Sequence, residues 1–182
     1  MLVSAWRILK TLLEYYPKRT SHAESYHYPF QIMNQNLTAI TIGSPNSEYL
    51  FINVVGRECP LSSDYWDGNW VRSTIKVSAG GFTGKVKASL RSEEFVKFKN
   101  ELSILYETLS GQAYFTTMEK WLSITVVGDG LGPFEAQCKL SDNAGVGTGN
   151  TLHFSLHFDQ TFIPEMIAGL NRIITAFPVI GN

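Results

Sequence analysis

The sequence predicts an α+β fold, in which a mainly antiparallel sheet or a split barrel carries a central and a C-terminal helix packed on it. Segments in which apolar residues alternate with polar ones lie on both sides of a central segment with helical periodicity. A second apolar stripe at helical spacing follows the last strand-like segment. Short turns rich in Gly, Asn and Ser join neighbouring strands, which is typical of antiparallel sheets.

Four strands are predicted before the central helix. Their segments are Leu37–Ile42, Tyr49–Val55, Val71–Val77 and Phe82–Leu90. Turns at 43–47 and 79–81 join the first pair and the second pair, which predicts two hairpins. In the second hairpin, the side chains expected to face the core are Val71, Ile75, Val77, Phe82, Val86, Ala88 and Leu90.

The central helix is predicted from Glu93 to about Ser110, because Ser92 can cap its first turn and Gly111 follows its end. Its apolar stripe consists of Phe95, Phe98, Leu102, Leu105 and Leu109. Alternating apolar residues predict a second antiparallel meander after this helix. Its strands are Leu122–Val126, Phe134–Leu140 and Leu152–Phe158.

The last predicted element is a helix near the carboxyl end of the chain. Thr161 is its expected N-cap, since this places Pro164 in the first turn, where the missing N–H of proline costs little. Pro178 is expected to end the helix. Its apolar stripe consists of Ile163, Ile167, Leu170, Ile173 and Phe177.

The chain is expected to contain one α+β domain, over residues 30–182, because its 182 residues fall in the usual size range of a single domain. Residues 1–29 are predicted to form an amphipathic N-terminal helix and a polar linker. This stretch is a possible extension, since Met33 could be the true start.

Composition argues against several classes of partner and cofactor. The formal net charge of −1 gives no overall positive excess for nucleic acid or an anionic membrane, and no apolar run approaches the ~20 residues of a membrane helix. Cys59 and Cys138 show neither a CxxC motif nor the spacing of a zinc site. We therefore expect no metal, no other cofactor and a reducing, cytoplasmic location.

One strand carries a cluster of side chains that could suggest catalysis. His153, Ser155, His157 and Asp159 share a face of the last strand, but the two histidines would lie ~13 Å apart, too far to bind one ion. His157 and Asp159 could share one, although a solvated face is the simpler interpretation. Ser155 lies outside any GxSxG motif, so we predict that the protein is not an enzyme. The alternative is a small ligand-binding domain or enzyme with a pocket near His157, Asp159 and Glu119.

Two features suit protein binding better than catalysis. Five basic side chains are expected on the outward face of one hairpin: Arg72, Lys76, Lys85, Lys87 and Arg91. They would attract an acidic partner, although a solvated, aggregation-resistant strand or a nucleic-acid site would carry the same charges. Three aromatic residues in a polar loop, Tyr65, Trp66 and Trp70, would either anchor an interface or fold back over the core.

Several short motifs occur in a characteristic order. They are Tyr65–Trp70, Gly81–Gly84, Met118–Leu122, Leu152–Phe154, Asp159–Phe162 and Phe177–Pro178. In this order and spacing, over roughly residues 37–179, the chain resembles the WapI-family immunity proteins of bacterial contact-dependent toxin systems. The resemblance implies a cytoplasmic, non-catalytic protein that binds and neutralises the C-terminal toxin domain of a cognate effector. It implies no cofactor and no catalytic residue.

Overall fold

The computed structural model describes residues 38–144 and 148–181. Within these residues the fold is α+β, as predicted, and consists of two four-stranded antiparallel sheets with helices packed on them. The predicted helix and linker over residues 1–29 lie outside the described residues. Within the described part, no helix is both long enough and apolar enough to cross a membrane.

Each sheet is a meander that is followed by a helix. The first sheet consists of β1 (Ala39–Gly43), β2 (Tyr49–Arg57), β3 (Trp70–Ala79) and β4 (Phe82–Arg91). A one-turn helix, α1 (Tyr65–Gly68), lies between β2 and β3, and α2 (Ser92–Thr108) follows β4. The second sheet consists of β5 (Ser110–Thr116), β6 (Leu122–Asp129), β7 (Pro133–Ser141) and β8 (Thr151–Asp159). A short 3-10 turn, Gln160–Phe162, leads into α3 (Ile163–Ala176).

The strand alternation correctly identifies the core face, with one exception. Val71, Ile75 and Val77 of β3 are buried, as are the predicted inward residues near the end of β4. The prediction for Phe82 was wrong, because its side chain is 66% exposed. Phe82 begins β4, an edge strand whose first four residues are all exposed, although its cross-strand partner Ala79 is buried.

The central helix differs from the prediction at both ends. Arg91, and not Ser92, is the N-cap, and the carboxylate of Glu94 accepts its backbone N–H at 2.9 Å. The helix ends at Thr108, because Leu109 adopts a left-handed conformation with φ of 57°. The chain then enters β5, a strand missed in the sequence, whose inward residues Ala113 and Phe115 are both buried.

The two sheets and the two long helices share one hydrophobic core. Helix α2 packs on β5 and on α3, and α3 also packs on β1. Phe95 and Phe98 of α2 lie with their ring centroids 5.3 and 5.5 Å from that of Phe115 in β5. At Gly169 of α3, an added Cβ would lie 2.6 Å from the carbonyl oxygen of Ala39, so glycine permits the close approach of α3 to β1.

The last helix begins later than its sequence predicts. Thr161 is not its N-cap, because Thr161 lies inside the preceding 3-10 turn, where its backbone N–H donates to the Asp159 carboxylate at 2.8 Å. Phe162 is the N-cap of α3, and Pro164 lies in the first turn as expected. The helix ends two residues before Pro178, which agrees with the predicted end.

Candidate partner-binding site

The aromatic loop folds into a short structured segment, Asp64–Trp70, which we call the aromatic lid. Asp64 begins it as the N-cap of α1, and its side chain accepts the backbone N–H groups of Trp66 at 2.7 Å and Asp67 at 3.1 Å. The carboxylate therefore fixes the first turn of the lid, as an Asp N-cap does elsewhere. Asp64 thus has a structural role in this turn.

The aromatic lid covers the end of the outer face of the first sheet. Trp70 and Arg91 are cross-strand partners there, at the first residue of β3 and the last residue of β4. Strand alternation places Arg91 on the same face as Lys85 and Lys87, as the sequence predicted. The expectation that Arg91 is exposed was wrong, because the lid lies over it and leaves it only 1% exposed.

Arg91 attaches the lid to the sheet through its whole guanidinium group. Nη1 donates to the carbonyl oxygen of Trp66 at 2.9 Å, and Nη2 donates to that of Tyr65 at 3.1 Å. Nε forms an ion pair with Glu93. The guanidinium carbon lies 5.2, 5.3 and 5.0 Å from the ring centroids of Tyr65, Trp66 and Trp70, so all three aromatic residues contact one buried cation.

The carboxyl-terminal tail holds the other end of the lid. Asn69 is fully buried, and its amide donates to the carbonyl oxygens of Tyr65 and Ile180, both at 2.9 Å. Its side-chain oxygen accepts the backbone N–H of Ile180 at 3.0 Å. Arg57 donates to the carbonyl oxygens of both Gly68 and Pro178. Sequence reasoning missed Asn69 and Arg57, since a polar residue in a turn gives no sign that it contacts a segment 111 residues away.

The three aromatic residues that the sequence analysis singled out differ in how much of each ring is exposed. Tyr65 and Trp70 are half-buried against Arg91 and stabilise the lid. Trp66 is 61% exposed although its ring contacts the same cation. The loop therefore folds back over the sheet, which is one of the two alternatives, while one indole ring remains accessible; that this ring anchors an interface stays a prediction.

The other predicted basic residues form an exposed patch, which we call the basic face: Arg72, Lys76, Lys85 and Lys87. Lys76 and Lys85 are directly opposite each other on β3 and β4. The Lys76 amine lies 5.7 Å from the ring centroid of Phe51 on β2. Beside Arg72 and Lys87 is an open groove of about 560 Å³. Val55 lies in the lining of this groove and is 62% exposed.

The outer face of the second sheet carries the polar cluster from the sequence. His153, Ser155 and His157 are exposed on β8, and the Ser155 hydroxyl donates to the Glu135 carboxylate at 2.8 Å. This bond, a second one from Gln137 and the nearby His157 lower the pKa of the Glu135 carboxyl. Among the described residues, no group of three or more His, Cys, Asp and Glu side chains is arranged to hold a metal ion.

Comparison with known protein families identifies the family of this chain. A family model described as the Immunity protein WapI-like family matches residues 41–178. The chain belongs to this family. This match confirms the resemblance that the short motifs indicated. The matched region of this WapI-like chain begins in β1 and ends at Pro178, just beyond α3. It therefore includes both the aromatic lid and the basic face. No curated protein matches this WapI-like sequence.

Proposed function

We propose that this protein binds the toxic C-terminal domain of a cognate bacterial effector in the cytoplasm and blocks that domain by occlusion, without catalysis. Membership of the WapI-like immunity family supports a role in toxin immunity. Occlusion requires a stable interface, and a stable interface usually contains a few large, central side chains that lose their water on binding. The proposal therefore depends on a side chain of this kind.

Trp66 is the observation that carries the proposal. Its ring is 61% exposed, yet its backbone is fixed on both sides, because Asp64 accepts its N–H and Arg91 donates to its carbonyl oxygen. An exposed indole on an ordered backbone loses little conformational entropy when a partner covers it. Tryptophan is also among the residues most enriched at the energetic centres of interfaces. We infer that Trp66 is the anchor for the toxin domain.

Four candidate catalytic groups of the described residues are poorly suited to catalysis. Burial raises the pKa of the Cys138 thiol to about 12, so this sulfur is protonated at neutral pH and a poor nucleophile. Asp159 caps the 3-10 turn before α3 and is committed to that structural bond. His153 and His157 lie on an open strand face, where water has free access.

The test measures binding to the C-terminal toxin domain of the cognate effector. We expect Trp66→Ala to raise the dissociation rate about 30-fold, which corresponds to about 2 kcal/mol for a central aromatic residue. Ile104→Ala is the matched control, because Ile104 is similarly exposed at 62% but lies on α2, outside both the aromatic lid and the basic face. Circular dichroism establishes that both variants are folded.

Two outcomes would contradict the proposal. If the wild-type protein neither binds the toxin domain nor protects cells that produce it, the immunity role is wrong. If it binds and Trp66→Ala dissociates no faster than Ile104→Ala, the role stands and Trp66 is not the anchor. Turnover of the toxin domain or its substrate by the purified protein would support the enzyme alternative instead.

A further inference from the structure

The basic face concentrates positive charge on one side of the first sheet. The four cations Arg72, Lys76, Lys85 and Lys87 are exposed on neighbouring strands, in a chain with a net charge of only −1. The ion pairs found among the described residues are Arg91–Glu93, Lys97–Glu101 and Arg172–Glu165, and none of them includes a residue of the basic face. The face is therefore a local excess of uncompensated charge.

This arrangement opposes the stability of the sheet. Lys76 and Lys85 are direct cross-strand partners, and like charges in that position repel each other. One carboxylate, that of Glu58, also lies in the groove lining, but it accepts a hydrogen bond from the Ser89 hydroxyl at 2.6 Å at the lid end of the face. A strand that needed only solubility could carry alternating signs at these positions without the repulsion.

The basic face is also close enough to Trp66 to belong to one interface. Arg91, directly beneath the aromatic lid, lies six positions after Lys85 on β4, which corresponds to ~20 Å along the strand. A standard interface buries about 800 Å² on each partner and spans a distance of this order. A domain that covers Trp66 can therefore reach the lysines of β4 as well.

We propose that the basic face binds an acidic surface patch on the toxin domain, next to the contact made by Trp66. This assignment rests on the proposed function, since it takes the toxin domain as the occupant. Exposed charges act mainly on the association rate, because they attract an oppositely charged partner before contact and are screened by salt. The basic face thus accelerates encounter, whereas Trp66 slows dissociation.

The first experiment measures the association rate with the toxin domain by stopped flow at several salt concentrations. We expect Lys85→Glu with Lys87→Glu to slow association at least about tenfold at low salt and to remove most of its salt dependence. The matched control is Lys97→Glu with Lys139→Glu, which changes the net charge equally but lies on α2 and on the other sheet. This control should associate within about twofold of the wild-type protein.

The second experiment contains no toxin domain, so it tests the face independently of the proposed function. Poly-L-glutamate should bind the wild-type protein and the Lys97/Lys139 control at low salt, and the Lys85/Lys87 variant should bind it at least about tenfold more weakly. Equal binding by both double variants would overturn the assignment. A duplex oligonucleotide of matched charge that binds this face more tightly than poly-L-glutamate would overturn it too, because the face would then be a nucleic-acid site.

The two experiments separate the possible failures. If the toxin domain binds and the two double variants associate at equal rates, the acidic-patch assignment is wrong and the immunity role stands. If the toxin domain does not bind at all, the immunity role fails, and poly-L-glutamate alone decides whether the face recognises carboxylates.

Discussion

Replacement of Arg91 by alanine is expected to loosen the aromatic lid and to lower the free energy of unfolding substantially. The side chain is 1% exposed, and it donates to the carbonyl oxygens of Tyr65 and Trp66 and pairs with Glu93. Removal takes the Arg91 donor from the carbonyl oxygen of Trp66 and from the Glu93 carboxylate, whereas the carbonyl oxygen of Tyr65 keeps the bond from Asn69. It also leaves a cavity among three aromatic rings.

The magnitude follows from the burial of the two partners. Removal of one member of a buried ion pair costs on the order of 3–5 kcal/mol, because the other charge remains without compensation. Glu93 is 29% exposed, so water can partly solvate its freed carboxylate, and the lower end of that range applies. We therefore expect Arg91→Ala to lower the free energy of unfolding by about 3 kcal/mol.

Urea denaturation followed by circular dichroism measures this loss, and hydrogen exchange at the backbone amides of Trp66 and Asp67 reports on local opening of the lid. Arg72→Ala is the control, because Arg72 lies on the same face of the sheet but is exposed. It should change stability by less than about 0.5 kcal/mol. If the two variants lose the same stability and the exchange of the lid amides is unchanged, Arg91 does not hold the lid.

Two further substitutions test other parts of the fold. Burial raises the pKa of the Glu94 carboxyl to about 7, against the lowering effect of the backbone N–H groups of Arg91 and Met118, so the folded state holds a proton that the unfolded state releases near 4.5. The stability that this group contributes is therefore complete below pH 4.5 and is lost as the pH rises through 7, which lowers the free energy of unfolding by up to about 3 kcal/mol. In urea titrations between pH 5 and 8, Glu94→Gln should remove this decrease of the free energy of unfolding with pH. Equal slopes in both proteins would refute it. Gly169→Ala should lower the free energy of unfolding by about 1–3 kcal/mol and so lower the melting temperature, because the new Cβ would lie 2.6 Å from the Ala39 carbonyl oxygen. Gly81→Ala is the control and should leave the melting temperature unchanged, because no atom lies within 4 Å of its new Cβ.

Much of the fold could be predicted because the buried faces of these strands obey a simple period of two. The alternation in β3, β6 and β7 placed the correct residues in the core. Strand β5 was missed because the turn before it depends on Leu109, a residue that rarely adopts a left-handed conformation. Gly111 gave a misleading signal: it resembles a helix C-cap in the sequence but is already part of β5.

The candidate site could be predicted only in part, for a related reason. Alternation determines which face of a strand a side chain occupies, and it placed Lys85, Lys87 and Arg91 together correctly. It does not determine what covers that face, so the exposed lysines and the buried arginine look alike in the sequence. The distinction depends on the aromatic lid, whose position is fixed by the bond from Asn69 to Ile180 and by Arg57, which donates to Gly68 of the lid and to Pro178.

The attachments of the lid also explain how a small exposed segment can act as an anchor. A free loop of this length would have to be ordered by its partner, and that entropy would subtract from the binding free energy. Here Asp64, Arg91 and Asn69 order the lid from three sides during folding. A partner that covers Trp66 therefore meets a surface that is already in place. Loosening any one of these attachments should weaken binding even though the side chain that touches the partner is unchanged.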